Sequence, residues 1–598
     1  DEAVTLPGLF RRRIEKSPDA IAYKQYEHAE GRWRSYTWRE MGAIAGHLGE
    51  ALAREGLIAG DRVALLLKNS VEWVSFDQAA LSLGLVVVSL YTTDNPGNNA
   101  YILEDSGSKL LLVENEGEWN ALKGYAEFSS LGRVLCLTRS NVEMQGDVRF
   151  KYLDEWLPED RRNNYPPPSD VSSGALATII YSSGTTGRPK GVMLSHYNLL
   201  WNTEAVQRSI PGYREDVYLS FLPLSHAFER TVGYYLPVMA GSSVAYARST
   251  QDLPEDLLTI RPTMLVSVPR IFERIYAVAQ RRLKEKGRVA SLLSRVTEEI
   301  GWRRFEALHG RGKEIGLVRR VLWRVLKRLI ARKVVSRFGG RLRIAVSGGA
   351  PLSGAISHFF IGLGVPLLQG YGLTEAGPVV SANRPEGNMP ASVGEPLVGM
   401  EIRIGKDDEL LVRSPGVMMG YWKRPEETRQ AVDREGWLHT GDQAEIVDNH
   451  IFIRGRLKDI IVTSTGKKIS PTDMEMRIIQ NPLFDQAIVI GEGRPYTAAL
   501  IVLNRSEWET LASALLLDPD DNASLDAPNI LEAVLDKIRR LLHDFPSHAQ
   551  VRAVQLTLTP WNIENGLITP TMKLKRPEIE KRFRDEISRL YAGHDIPV

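Results

Sequence analysis

The chain of 598 residues carries a single cysteine, Cys136, which excludes an intrachain disulfide framework and a cysteine-built zinc site. One thiol suits a reducing cytosol, so a cytoplasmic location is the expectation. Charge of either sign is also lacking in excess: 75 Lys and Arg face 73 Asp and Glu, and bulk charge therefore points to no nucleic-acid partner. The opening "DEAVTLPGLFRRRIEKSPDA" has no apolar core of signal-peptide type. Long apolar runs are missing as well. One uncharged stretch, Thr231 to Ala247, lies at the short limit for a membrane span and is interrupted by Pro237 and "GSS". It reads as a buried helix, turn and strand. No internal repeat is visible. What is present is the composition of a soluble enzyme, 43% hydrophobic and 25% charged, in a chain long enough for about two to four cores.

The first ~165 residues alternate helical and strand patterns. "TWREMGAIAGHLGEALAREG" spaces its apolar residues as an amphipathic helix closed by Gly56. "DRVALLL", "GLVVVSLY", "SKLLLVEN" and "GRVLCLT" are short, β-branched, buried-strand runs. Such alternation predicts layered α/β structure with mostly parallel sheets. "NNYPPPSD" is a polar, proline-rich connector. "ALATIIYSS" predicts a strand, and "SHYNLLWNTEAV" a helix capped by Ser195. From 281 to 343 the balance changes to 20 Lys and Arg against 5 Asp and Glu. Apolar pairs at 317/318, 321/322, 325/326, 329/330 and 334/335 make one broad stripe there. After Gly340 the α/β pattern returns. Beyond about 456 a compact tail shows strands "QAIVIG" and "TAALIVLN" with helices on either side of residue 540, and "LLDPDDNASLDAPN" as a surface loop. The division expected is a large domain 1–455, with a basic helical insert at about 281–343, and a smaller mobile α+β domain 456–598.

Between the predicted strand and helix lies "YSSGTTGRPKGVMLSH". Glycines at 184, 187 and 191 leave backbone N–H groups open to an anion. Ser182, Ser183, Thr185 and Thr186 add hydroxyl donors, and Lys190 adds a compact cation. This is the chemistry of a phosphate cradle, but not of a Walker A loop, because Pro189 stands where that pattern needs glycine. "QGYGLTE" follows another apolar strand. Tyr371 offers a flat face for a purine, Thr374 a hydroxyl for a phosphate, and Glu375 an oxygen ligand for Mg²⁺.

The glycine-hydroxyl segment closely resembles the phosphate-loop signature of adenylate-forming enzymes. "GGAPL" (348–352), "QGYGLTE" (369–375), "WLHTGD" (437–442), "GRLKD" (455–459) and "NGLITPTMKLKR" (565–576) follow in that family's order and span nearly the whole chain. The resemblance implies a nucleotide site made of Ser182, Ser183, Gly184, Thr185, Thr186, Gly187 and Lys190. Gly349, Ala350 and Pro351 would wall the adenine, Tyr371 would stack on it, and Gln369, Gly370 and Gly372 would belong to the same nucleotide site. Thr374 would meet the α-phosphate, Glu375 and Thr185 would hold Mg²⁺, and Asp442 and Arg456 would contact the nucleotide, Asp442 at the ribose hydroxyls. Lys458 matches the family's hinge, and Gly466 in "TSTGKK" lies where the family forms a tunnel for the thiol arm of coenzyme A. Lys573, four residues after Thr569, matches the tail-domain lysine that reaches carboxylate and α-phosphate. Lys575, two residues on, is its competitor.

"FLPLSHAFER" (221–230) resembles long-chain acyl-CoA synthetases, with His226 at the acyl entrance. The implied activity joins a long-chain fatty acid to AMP from ATP, releasing pyrophosphate, and then transfers the acyl group to coenzyme A. Both half-reactions would use one mobile tail domain, and the sequence shows no separate general base. No carrier segment follows "KLKR", so a free thiol is the expected acceptor. Other readings are a fatty acyl-AMP ligase serving a carrier protein, a luciferase-like oxygenase, and a lipid-binding scaffold with a dead nucleotide site; no substitution in the motifs favours the last. The basic insert suggests peripheral contact with an anionic membrane, at the inner face for a cytoplasmic protein, against an ordinary helical hairpin packed on the core. Chain-length preference and oligomeric state are not legible.

Overall fold

A computed structural model describes residues 4–139, 147–159, 165, 171–182, 188–569 and 573–592. The expected strands form. Arg62–Leu66, Val86–Ser89, Leu110–Val113, Arg133–Cys136 and Leu176–Ser182 are parallel members of an eight-stranded sheet. A nine-stranded sheet runs beside it. Its parallel centre is Ser243–Tyr246, Val217–Ser220, Met264–Ser267, Ile344–Ser347 and Leu367–Gly372.

The helix Val71–Ser82 lies between these sheets, with every residue but Glu72 buried. One apolar cluster joins both inner faces through it, including Val63, Val87 and Ile180 from one sheet and Tyr218, Val266 and Val346 from the other. Helices cover the outer faces, giving an α/β/α/β/α stack. Asp77 of the central helix meets Arg230 in a pair with no exposed surface. Arg230 also donates to Thr178 Oγ1 at 2.9 Å, and the Tyr234 hydroxyl donates to Asp77 Oδ2 at 3.0 Å. Burial works against the Arg230 charge, but Asp77 together with Tyr235 and Tyr234 outweighs it and the net shift is upward.

Local details follow from single residues. Thr37 caps the helix Trp38–Ala53 in a reciprocal box with Glu40. That helix stops before Gly56, which follows in a left-handed turn at φ 71°. Ser195 caps His196–Ser209, its hydroxyl accepting from Asn198 N–H at 3.1 Å. The 231–247 stretch folds as predicted: a wide-turn helix Glu229–Tyr235, a helix Leu236–Ala240, and a strand Ser243–Tyr246. The apolar stripe of the basic insert is divided, however. Trp323, Leu326 and Ala331 face inward onto Ile300 and Ile315, while its other edge stays exposed.

A four-stranded antiparallel sheet contains Leu438–Val447 and His450–Arg456. The apolar clusters of the tail begin at Ile461. The tail sheet is Phe484–Ile490, Thr497–Leu503 and Val551–Thr557. Residue 540 lies inside one helix, Pro528–Leu541, rather than between two; Ile530, Val534 and Ile538 bury one continuous face of it.

Candidate functional site

The motifs converge because four of them leave the carboxyl ends of parallel strands, where loops are free to meet a ligand. Ser182 ends Leu176–Ser182, and the "FLPLSHAFER" segment follows Val217–Ser220. "GGAPL" follows Ile344–Ser347, and "QGYG" closes Leu367–Gly372.

Ser182 pairs with Lys190 across a hairpin. Ser183, Gly184, Thr185, Thr186 and Gly187 lie outside the described residues. Lys190 forms an ion pair with Glu427, and its Nζ sits 5.3 Å from the centre of the Tyr421 ring. Gly191 is required by packing, since a Cβ there would stand 2.7 Å from Ile179 Cγ2.

Gly349, at φ 80°, and Ala350 and Pro351 form an exposed turn after their strand. In the strand Leu367–Gly372, a Cβ on Gly372 would fall 2.2 Å from Pro378 O, so only glycine lets the two chains approach. Gly370 faces Ala382 across the same pairing. The Gln369 side chain donates its amide to Pro390 O, anchoring the strand end to the following loop. Tyr371 donates to Asp442 Oδ2 at 2.6 Å, and Arg456 Nε lies 3.1 Å from Asp442 Oδ1. Register explains the second contact, because Asp442 and Arg456 are directly paired on adjacent strands. Burial, then Asp442, pushes the Tyr371 phenol well up. Burial alone would lower the Arg456 guanidinium, but Asp442 leads a set of anions that leaves the net shift upward.

Thr374 and Glu375 lie on the short turn after this strand. Glu375 Oε1 accepts from the Tyr421 hydroxyl at 2.8 Å, which orients the carboxylate. No cluster of three or more His, Cys, Asp or Glu side chains occurs among the described residues. One oriented carboxylate, with Lys190 over the ring of the same Tyr421, fits Mg²⁺, a cation that keeps most of its shell for water and substrate oxygens.

Lys573 stands in a turn held by two hydrogen bonds. Its N–H donates to Thr569 Oγ1 at 3.0 Å, and Thr569 N–H donates to its carbonyl at 2.8 Å. Although it belongs to the tail, its ammonium feels Arg456, Asp442, Glu375 and Lys458. Burial, followed by Arg456, lowers its pKa from 10.5 to about 8. Lys575 instead precedes the helix Arg576–Arg582, its N–H donating to Leu567 O at 2.9 Å. His226 is the remaining neighbour. Burial and then the Lys573 charge lower it to about 4, and its Nδ1 accepts from Phe228 N–H at 3.3 Å, so the ring is neutral at pH 7. Lys458 sits on the single turn Leu457–Asp459 directly after Arg456; burial, then Arg456, lowers its pKa. Gly466 is the exposed apex of a turn at φ 74°, its N–H donating to Thr463 O at 2.8 Å.

Tyr421 and Glu427 were not foreseen from the sequence. They come from "GYWKRPEET", where nothing local signals that the hydroxyl and carboxylate face residues far back in the chain. Arg456, Lys458, Lys573 and Lys190 thus surround Asp442, Glu375 and Glu427 in a polar basin suited to a polyanion.

The AMP-binding enzyme family profile matches residues 10–422, and the AMP-binding enzyme C-terminal domain profile matches 458–595. The chain belongs to the AMP-binding enzyme family. It is 32% identical, over 96% of its length and 95% of the relative's, to long-chain-fatty-acid–CoA ligase FadD15 of Mycobacterium tuberculosis. It is 28% identical to the chloroplastic long-chain-fatty-acid–[acyl-carrier-protein] ligase AEE15 of Arabidopsis thaliana, covering 98% of this chain and 86% of that one. Among solved structures, the anthranilate CoA ligase AuaEII with anthranoyl-AMP superposes at a TM-score of 0.73, with 20% identity and 98% of each chain covered. The adenylation domain of carboxylic acid reductase from Segniliparus rugosus, with AMP and a co-purified carboxylic acid, gives 0.74 at 22% identity, covering 100% of this chain and 95% of that one. These structures share the α/β architecture of this AMP-binding enzyme, the large body and the C-terminal body alike. No described helix is long and apolar enough to cross a membrane.

Proposed function

We propose that this enzyme activates long-chain fatty acids with ATP and transfers them to coenzyme A. The observation that carries the chemistry is Lys573, a tail-domain lysine placed among Asp442, Glu375 and Arg456. The long-chain preference is supported by full-length similarity to FadD15.

In the first half-reaction a fatty-acid carboxylate oxygen attacks the α-phosphorus of ATP, and the bond from that phosphorus to the pyrophosphate oxygen breaks. Two anions have to approach each other, so catalysis is mostly positioning and charge neutralisation. Tyr371 and the turn Gly349–Pro351 hold the adenine, and Asp442, paired with Arg456, accepts the ribose hydroxyls. Ser182, Lys190 and the hydroxyls of the loop tip take the β- and γ-phosphates. For Lys190 this means leaving Glu427. Thr374 meets the α-phosphate. Glu375, oriented by Tyr421, and Thr185 would hold Mg²⁺, which supplies charge neutralisation on the leaving pyrophosphate. Lys573 bridges carboxylate and α-phosphate. Gln369 acts here by fixing the strand end rather than by touching nucleotide. His226, being neutral, lines the acyl entrance through contact and hydrogen bonding rather than charge.

In the second half-reaction the thiol sulfur attacks the acyl carbon and AMP leaves. The boundary we assign, near 456, is supported by the separate apolar cores on either side. Rotation there, at Lys458, withdraws Lys573 and brings the Gly466 turn to the thiol's path. Peripheral contact with an anionic membrane would bring the enzyme to such long-chain acids.

A carrier-protein acceptor is the second reading, favoured by the similarity to AEE15. Pyrophosphate release across aliphatic acids of increasing length, with and without coenzyme A, separates the two. Long-chain acids should give acyl-CoA and AMP. Failure of labelled pyrophosphate to exchange into ATP with any aliphatic acid refutes the adenylation itself.

A further inference from the structure

The basic insert presents a surface that this chemistry leaves unused. Helix Leu317–Leu326 continues through wider turns to Ser336. Its inner side is held by Trp323, Leu326 and Ala331. Its outer side is also apolar: Leu317, Val318, Val321, Leu322, Val325 and Leu329 are between 39% and 80% exposed. At about 100° per residue these six fall within an arc of about 140° on one face. Single exposed apolar residues are ordinary, but a continuous strip over three turns marks an interaction surface.

The surroundings of the strip select its partner. Arg324 and Arg328 fall along one edge of the arc. Arg320 is paired with Glu314, whereas Arg319, Arg324 and Arg328 make no ion pair among the described residues. Between this helix and Arg288–Leu308 runs a crevice of about 430 Å³. Val296, Ile300 and Leu322 supply its apolar walls, Arg295 and Arg319 stand around them, and Arg303 is there as an ion pair with Glu299. The whole segment from 281 to 343 holds 20 basic and 5 acidic residues. A second copy would set this excess against itself. An anionic bilayer satisfies both halves of the pattern: aliphatic side chains enter below the headgroups, and guanidinium groups stay at the phosphates.

We propose that the face of the insert formed by 317–329 docks on an anionic phospholipid bilayer, with the arginine-lined crevice receiving headgroup phosphate. The insert is suited to transmit this docking because it is firmly seated. Gly301 crosses Gly362 so closely that a Cβ on Gly301 would lie 1.8 Å from Gly362 O, and Gly362 belongs to the helix Gly354–Gly362 that follows the "GGAPL" turn. That docking brings the enzyme to its substrate rests on the long-chain reading above. The docking itself does not, and is measured without substrates.

Flotation of the purified full-length chain with phosphatidylcholine vesicles, and with vesicles of which about one third is phosphatidylglycerol, tests it in the absence of ATP, coenzyme A and fatty acid. Binding to the anionic vesicles at about 50 mM salt should fall about tenfold at about 500 mM, and be at least that weak on neutral vesicles. Val321→Asp with Val325→Asp should weaken it about tenfold, as should Arg324→Glu with Arg328→Glu. All four side chains are exposed, so melting temperature and pyrophosphate exchange with a soluble acid should stay unchanged. Absence of flotation at low salt overturns the proposal. So does binding that neither double variant weakens, or a self-associated species that the Val321/Val325 variant disperses while vesicle binding persists.

Discussion

At the scale of single residues, the site depends on which side chains keep a charge. The Lys573 ammonium is held near a guanidinium and away from water, and its pKa falls to about 8. In the substrate-free enzyme its charge is therefore present below pH 8 and lost above it, so kcat/KM for adenylation should decline as pH rises through that value. Lys573→Arg should remove the decline, as read from a pH series of pyrophosphate exchange. The sign for stability is opposite. Between about pH 8 and the ordinary lysine value of 10.5 the unfolded chain binds more protons at this position, so this lysine makes the substrate-free protein more stable as pH rises through the window. Lys573→Ala should cost about 3 kcal/mol in adenylation, roughly a hundredfold, while Lys575→Ala stays near native. A second expectation concerns Tyr421, whose hydroxyl aims Glu375. Tyr421→Phe should weaken activity by about 1 kcal/mol, with the loss appearing as a higher Mg²⁺ requirement in a metal titration. Tyr371, Asp442 and Lys573 were legible as residue types with matching chemistry. Tyr421 was not, because its role exists only across the fold.

At the scale of elements, short strands set the motif positions and close helix contacts hold the insert. The buried-strand runs were readable from their β-branched composition, since a strand buried on both faces has no room for polar residues. The helix cap at Ser195 was readable for an equally local reason, a side-chain oxygen satisfying open N–H groups. The two edges of the 317–335 stripe were indistinguishable in sequence, because periodicity gives an apolar face but not what covers it. Packing of Trp323 and Leu326 onto Ile300 and Ile315 decides which edge is covered, and Gly301, where a Cβ would stand 1.8 Å from Gly362 O and 2.8 Å from the Trp323 ring, lets the helices come that close. Gly301→Ala should therefore lower stability by about 3 kcal/mol through overpacking, visible as a reduced melting temperature and loss of cooperativity. A melt equal to that of the unsubstituted chain would show that the helices are not so close.

At the scale of the whole molecule, two bodies with separate cores meet at a polar basin. Gln480 Nε2 donates to Ser353 Oγ at 3.0 Å, and Lys468 lies 3.4 Å from Asp407. Both Lys468 and Asp407 are largely exposed, and such pairs contribute little. Few contacts of this kind bind the tail among the described residues, which suits the rotation proposed above. Lys458→Pro, by restricting φ at the assigned hinge, should leave acyl-adenylate formation within severalfold of native and abolish thioester formation. Loss of both half-reactions, or of neither, would place the pivot elsewhere. The sequence by itself determined the strands, the Ser195 cap, the order of the motifs and the chemical type of each site residue, because these follow from backbone propensity, side-chain chemistry and neighbours a few positions away. Tertiary structure alone decided that Lys573 rather than Lys575 enters the basin, that Tyr421 orients Glu375, that Glu427 meets Lys190, and that half of the insert's stripe faces solvent. Each of these depends on a distance between segments far apart in the chain, and such distances are set by sheet register and helix packing.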